Sequence, residues 1–174
     1  MKLNKIMAAA VIALGVSSVA HAANQGSGKV TFTGAIIDAP CSINPDSVDQ
    51  TVELGQVSNA LLKKGGKSAS KSFDILLENC EIEEGKNSVS VTFTGTASEA
   101  QDGMLDINGS ASGASVAIAD KSGKLIKLGE ASPAQDVAEG STKLSFNAYL
   151  QGNGTSDVVP GDFTAVADFQ MAYQ

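Results

Sequence analysis

From Gly161 to Tyr173 every second residue is apolar or glycine: Gly161, Phe163, Ala165, Ala167, Phe169, Met171 and Tyr173. Only Gln174 follows. Successive side chains of a strand point to opposite faces of its sheet, so a period of two places all seven on one face. A strand this regular belongs over a core, whereas chain ends are ordinarily polar and frayed. The sequence supplies no later strand to cover one of its sides.

The rest of the chain reads the same way. Val30 to Ile37 alternates, with Val30, Phe32, Gly34 and Ile36 on one face. Short apolar runs follow at Val52–Leu54, Phe73–Leu77, Val89–Thr94, Leu105–Ile107, Ser115–Ala119, Leu125–Leu128 and Leu144–Leu150. Clusters of Gly, Asn, Asp, Lys and Ser separate them, including Asp120-Lys121-Ser122-Gly123-Lys124, a good hairpin turn. Asn59 to Lys64 suits one helical turn before Gly65-Gly66, and no helical period persists longer. The pattern predicts an all-β sandwich of roughly eight or nine strands in one domain. The two terminal strands either pair with each other or belong to an incomplete sheet whose missing strand comes from elsewhere.

Composition narrows the chemistry. All twelve basic residues of the 174 are Lys, Trp is absent, and the net charge is −7. Without Arg for bidentate phosphate contacts, or aromatics for base stacking, nucleic-acid binding is not expected. Lys2 and Lys5, the apolar stretch Ile6–Val16 and the small-x-small triplet Ala20-His21-Ala22 have the layout of a secretory leader, residues 1–22. The apolar stretch is shorter than the roughly 20 residues that span a bilayer, so no membrane insertion is expected. Cleavage after Ala22 removes the only histidine and takes the net charge to −9. That excludes histidine triads, histidine metal sites and histidine pH switches. Export to an oxidising compartment makes Cys41 and Cys80 a disulfide. Its loop of about 40 residues stabilises the fold by roughly 4 kcal/mol.

Other signals carry little. Glu81, Glu83 and Glu84 read as a solvated loop rather than a carboxylate pair for catalysis. Gly26-Ser27-Gly28 lacks the longer pattern of a phosphate cradle. Asn108-Gly109-Ser110 and Asn153-Gly154-Thr155 match glycosylation sequons but read better as Asn-Gly turns. No catalytic, cofactor or metal residues are expected.

The chain resembles the pilins of the chaperone–usher fimbrial family, especially the major rod subunits of P-type fimbriae. The resemblance rests on residues 28–34, Asp38-Ala39-Pro40-Cys41-Ser42-Ile43, Asp49-Gln50-Thr51-Val52, Leu54-Gly55-Gln56, Leu77-Glu78-Asn79-Cys80, Phe93-Thr94-Gly95 and residues 169–174. Gly161, fourteenth from the end, and the penultimate Tyr173 complete it. It implies an immunoglobulin-like sandwich lacking its last strand, in residues 38–174, preceded by an N-terminal extension, 23–37. A periplasmic chaperone, then the extension of a neighbouring subunit at the outer-membrane usher, supplies the missing strand. In that reading Val30, Phe32, Gly34 and Ile36 form the donor row, Gly34 passing a constriction, although a bulge or bend also suits a glycine there. Gly161, Phe163, Phe169, Met171, Tyr173 and Gln174 border the groove and meet the chaperone.

The function so implied is a non-enzymatic subunit of a cell-surface fimbria. It would assemble with copies of itself and with minor pilins and support adhesion and colonisation. The alternatives are a minor adaptor of the same fimbria, or a self-contained secreted carbohydrate-binding sandwich, which the lack of Trp disfavours.

Overall fold

The computed structural model describes residues 27–82, 84–155 and 157–174. The leader predicted for residues 1–22, the first residues of the extension, and Glu83 lie outside them. The chain divides into two units between Ile36 and Ile37. In the first, residues 27–36 carry no secondary structure, and Val30, Phe32 and Ile36 are exposed. The predicted Val30–Ile37 strand is therefore not formed in the single chain. A strand exists only by its ladder, and this segment has none.

Among its described residues the second unit holds ten strands: β1 (Ser42–Ile43), β2 (Lys71–Cys80), β3 (Ser88–Gly95), β4 (Asn108–Gly109), β5 (Ala114–Asp120), β6 (Leu125–Ile126), β7 (Gln135–Asp136), β8 (Gly140–Gly152), β9 (Phe163–Thr164) and β10 (Ala167–Tyr173). Two helical turns, α1 (Pro45–Val48) and α2 (Asn59–Leu62), lie between β1 and β2. One sheet has the order β1-β2-β8-β5-β6, a second β10-β3-β7, and β4 pairs with β9 alone; every pairing is antiparallel.

The core fills the space between the two larger sheets. Ile75, Leu77, Leu144 and Phe146 from one, and Val89, Val91 and Phe93 from the other, are at most 2% exposed. Phe93 stacks edge-on against Phe146 with ring centroids 5.1 Å apart, and Phe73 closes the triad at 5.7 Å from Phe146. Such pairs add to what burial of the rings alone contributes. Cys41 and Cys80 are joined, and Glu81 N–H donates to Pro40 O at 2.9 Å, so the domain's start is fixed to the end of β2.

Several expectations from local chemistry are met. Asp120 Oδ1 accepts from Ser122 N–H, Ser122 Oγ and Lys124 N–H, tying the β5–β6 hairpin. The helical turn near residue 60 is α2, capped by Ser58 Oγ. Asn153 Oδ1 accepts from Thr155 N–H, a turn as predicted. Others are corrected. Val52–Leu54 forms no strand among the described residues, and Leu105 makes isolated bridges to Ala97 and Val116 instead of a strand. Asn108-Gly109 is no turn: it is β4, held against β9, where a Cβ on Gly109 would strike the main chain of Asp162 and Phe163.

An exposed strand edge invites pairing with any extended chain. The edges here are closed in distinct ways. Along β2, Asn44 N–H donates to Leu76 O at 2.9 Å and Ser47 Oγ accepts from Leu76 N–H at 3.0 Å. Where β8 outruns β2, Ser68 bonds Leu150 through both its N–H and its Oγ. On the far side of β3, Gly129 N–H donates to Phe93 O and Ser132 bonds Val91 in the same double manner.

Candidate functional site

β10 is different. It runs antiparallel to β3 through seven consecutive pairs, from Ala167 opposite Gly95 to Tyr173 opposite Val89. Beyond them, Ser88 and Gln174 exchange both main-chain hydrogen bonds, at 3.0 and 2.8 Å, and Ser88 Oγ adds a third to Gln174 O. Antiparallel ladders alternate bonded and non-bonded pairs. With Ser88–Gln174 bonded, the even residues Asp168, Gln170 and Ala172 also point their N–H and C=O groups at β3. The groups of Ala167, Phe169, Met171 and Tyr173 then face the opposite edge, where no strand lies among the described residues.

The same four residues turn their side chains inward. Burial along β10 alternates without exception between half-buried and exposed. Ala167, Phe169, Met171 and Tyr173 pack on the core, as do Phe163 and Ala165 before them, yet none is buried. Their neighbours across the ladder, Val89, Val91 and Phe93, are at most 2% exposed. Equivalent positions on paired strands thus differ because one strand lacks cover. A missing strand leaves both unmet main-chain groups and a bare strip of core. Tyr173 fits this picture: burial raises its phenol pKa above the ordinary value, and its buried hydroxyl has no hydrogen-bond partner among the described residues.

Phe163, Phe169, Met171 and Tyr173 therefore share one row, with Gln174 at its end. Gly161 does not line it. It is exposed, and a Cβ there would lie 2.7 Å from Ala111 N, where Ser110 and Ala111 donate to Asp162 O. Its physical role is close approach of two main chains. On the extension, Val30, Phe32 and Ile36 are exposed, and a Cβ on Gly34 would meet open space. The sequence reading overlooked Ser88, whose main chain and hydroxyl fix the end of β10. A lone Ser before an apolar run carries no sequence signal for that task.

The comparisons with known proteins agree with this geometry. The family model for fimbrial proteins matches residues 30–174. The chain is 62% identical to the Fimbria A protein of Serratia marcescens and 54% identical to the major MR/P fimbria protein of Proteus mirabilis, each over the full length of both chains. Its fold superposes on a subunit from a solved chaperone–usher pilus whose rod uncoils, with TM-score 0.74 and 34% identity. That match covers 86% of this chain and 97% of the other. With the family model matching from Val30 to the last residue and a relative 62% identical over its whole length, the chain belongs to the fimbrial protein family.

Proposed function

We propose that this protein is a structural subunit of a cell-surface fimbria, polymerised by donor-strand exchange. The observation that carries the reading is the edge of β10. Four consecutive inward residues present bare apolar surface, and the same four leave N–H and C=O groups unpaired. Strand addition answers both needs at once, and chaperone–pilin complexes are a known instance of it. The donor is residues 23–37 of a neighbouring copy, exported behind the leader 1–22. Its Val30, Phe32 and Ile36 are apolar, exposed and separated by even steps of two and four. Burying three such side chains contributes roughly 5–8 kcal/mol. Gly34 occupies the third place in that row, between Phe32 and Ile36, where the groove admits no Cβ. Before assembly a periplasmic chaperone covers the same edge, gripping Phe169, Met171, Tyr173 and the Gln174 carboxylate, with Gly161 setting the approach of β9. An outer-membrane usher then exchanges chaperone for subunit. The role is structural rather than catalytic. The relatives named as major fimbrial proteins favour the rod subunit over a minor adaptor.

The test is deletion of residues 23–37 in cells carrying the cognate chaperone and usher. The shortened subunit is expected to accumulate bound to the chaperone and to add to no fibre. Normal fibre growth from it would refute the proposal.

A further inference from the structure

The predicted leader takes Met1 and Met7 with it, so residues 23–174 keep two methionines, Met104 and Met171. Both cysteines are spent in the disulfide. A two-electron oxidant that reaches the exported chain therefore finds two thioethers and no free thiol. The fold treats the two oppositely. Met104 is 7% exposed and packs with Ala117, Ala119 and Tyr149 on the face of β5 and β8 away from the main core. Its main chain is held as well: its N–H donates to Gln101 O at 3.2 Å, and its carbonyl accepts from Ser98 N–H at 2.8 Å. Met171 stands in the inward row of β10, between Phe169 and Tyr173, and is only half-buried. Its ladder partner Val91 is fully buried. What exposes Met171 is the uncovered edge itself, and whatever covers that edge also covers the sulfur.

A thioether is apolar and adaptable, and its sulfoxide is polar. In the reaction a sulfur lone pair attacks the terminal oxygen of a hydroperoxide. The S–O bond forms as the O–O bond breaks, and sulfur loses the two electrons that the peroxide gains. The departing oxygen takes the proton of the attacked one and leaves as water or an alcohol. On Met171 the new oxygen lies in the apolar strip that an incoming strand has to seal from water. We propose that Met171 is an oxidation site that gates assembly: a hydroperoxide converts it to the sulfoxide in an unfilled subunit and closes the groove to strand addition, whereas a seated donor shields it. This rests on the donor-strand reading above and concerns when the groove accepts a strand.

The experiment treats the purified subunit, residues 23–174, with hydrogen peroxide and locates the added oxygen by peptide mass mapping. It then measures affinity for a labelled peptide of residues 23–37. Met171 is expected to oxidise ahead of Met104, and affinity to fall about 5- to 150-fold as it does. Methionine sulfoxide reductase should restore the affinity. Peptide bound before the peroxide should slow oxidation of Met171 and leave that of Met104 unchanged. Met171→Leu should bind peptide and ignore peroxide. Should that variant not fold, Met104→Leu, with Met171 as its one thioether, carries the same comparison and should stay sensitive. Three results overturn the inference with donor-strand exchange intact: Met104 oxidised first, affinity unchanged once Met171 carries its oxygen, or an oxidised subunit that has lost its fold by circular dichroism. An untreated wild type that takes no peptide refutes donor-strand exchange itself, and this inference with it.

Discussion

Replacing Phe32 with alanine isolates the energy of the junction from that of the subunit. Phe32 is 89% exposed in the single chain, so its truncation removes no contact that the folded domain makes with itself. Once seated over the half-buried row of β10, the ring would be withdrawn from water, a change of about 1.5–3 kcal/mol. At 1.4 kcal/mol per decade, Phe32→Ala weakens each junction about 10- to 150-fold. The unpaired N–H and C=O groups of Ala167, Phe169, Met171 and Tyr173 are untouched by the change. Each main-chain bond they form contributes about 0.5–1.5 kcal/mol, so fibres still assemble but come apart more easily. The assay pairs two measurements: displacement of a seated donor peptide by unlabelled wild-type peptide, and thermal unfolding of the subunit alone. The subunit midpoint should stay within about 2 °C of wild type. Equal displacement rates for the two peptides, or a clear loss of subunit stability, would refute the assignment of Phe32 to the junction.

Three further outcomes follow from the fold. Replacing Cys41 and Cys80 with serine removes a cross-link spanning 39 residues. It should cost roughly 4 kcal/mol and lower the calorimetric midpoint by about 8–16 °C, an effect that reductant reproduces in the wild type. Gly161→Ala pushes a methyl group against the Ala111 main chain; urea titration should register a loss of about 1–3 kcal/mol. Burial tends to raise the pKa of Asp74, but hydrogen bonds from Lys143 and Ser145 and the Lys143 charge outweigh it, holding the carboxyl below its ordinary value. A depressed carboxyl contributes stability that is present above its unfolded pKa and lost as pH falls through the folded one. Lys143→Ala should therefore narrow the difference in melting temperature between pH 7 and pH 3.

The long strands were legible because their side chains meet the core on one face. Phe73–Leu77, Val89–Thr94, Ser115–Ala119 and Leu144–Leu150 fall inside β2, β3, β5 and β8, and the row from Phe163 to Tyr173 faces as its period requires. What escaped is short or set by distant partners. The two-residue β7 exists because Ser88 and Val89 need a neighbour, and nothing in Gln135-Asp136 announces it. The Asn44 cap and Pro45 at the first turn were a readable start for α1, overlooked because one helical turn carries no period. Asn108-Gly109 has the chemistry of a turn, but Asp162 and Phe163 across the ladder hold it straight. Serines that close edges resemble serines in any loop. The open edge is legible only in outline, since a sequence reveals a strand but not which of its sides is bare.

On β10, side-chain direction and main-chain direction are locked to the same four residues. A guest shifted by one position loses on both counts: it turns Thr31 and Thr33 toward the oily strip and aims its amides the wrong way. Misplacement by two residues, roughly 7 Å, restores the bonding but sets Gly34 under a neighbour's place. Assembly errors should thus come in whole double steps, and a fibre carrying one would be lengthened or shortened by that fixed increment at a single joint.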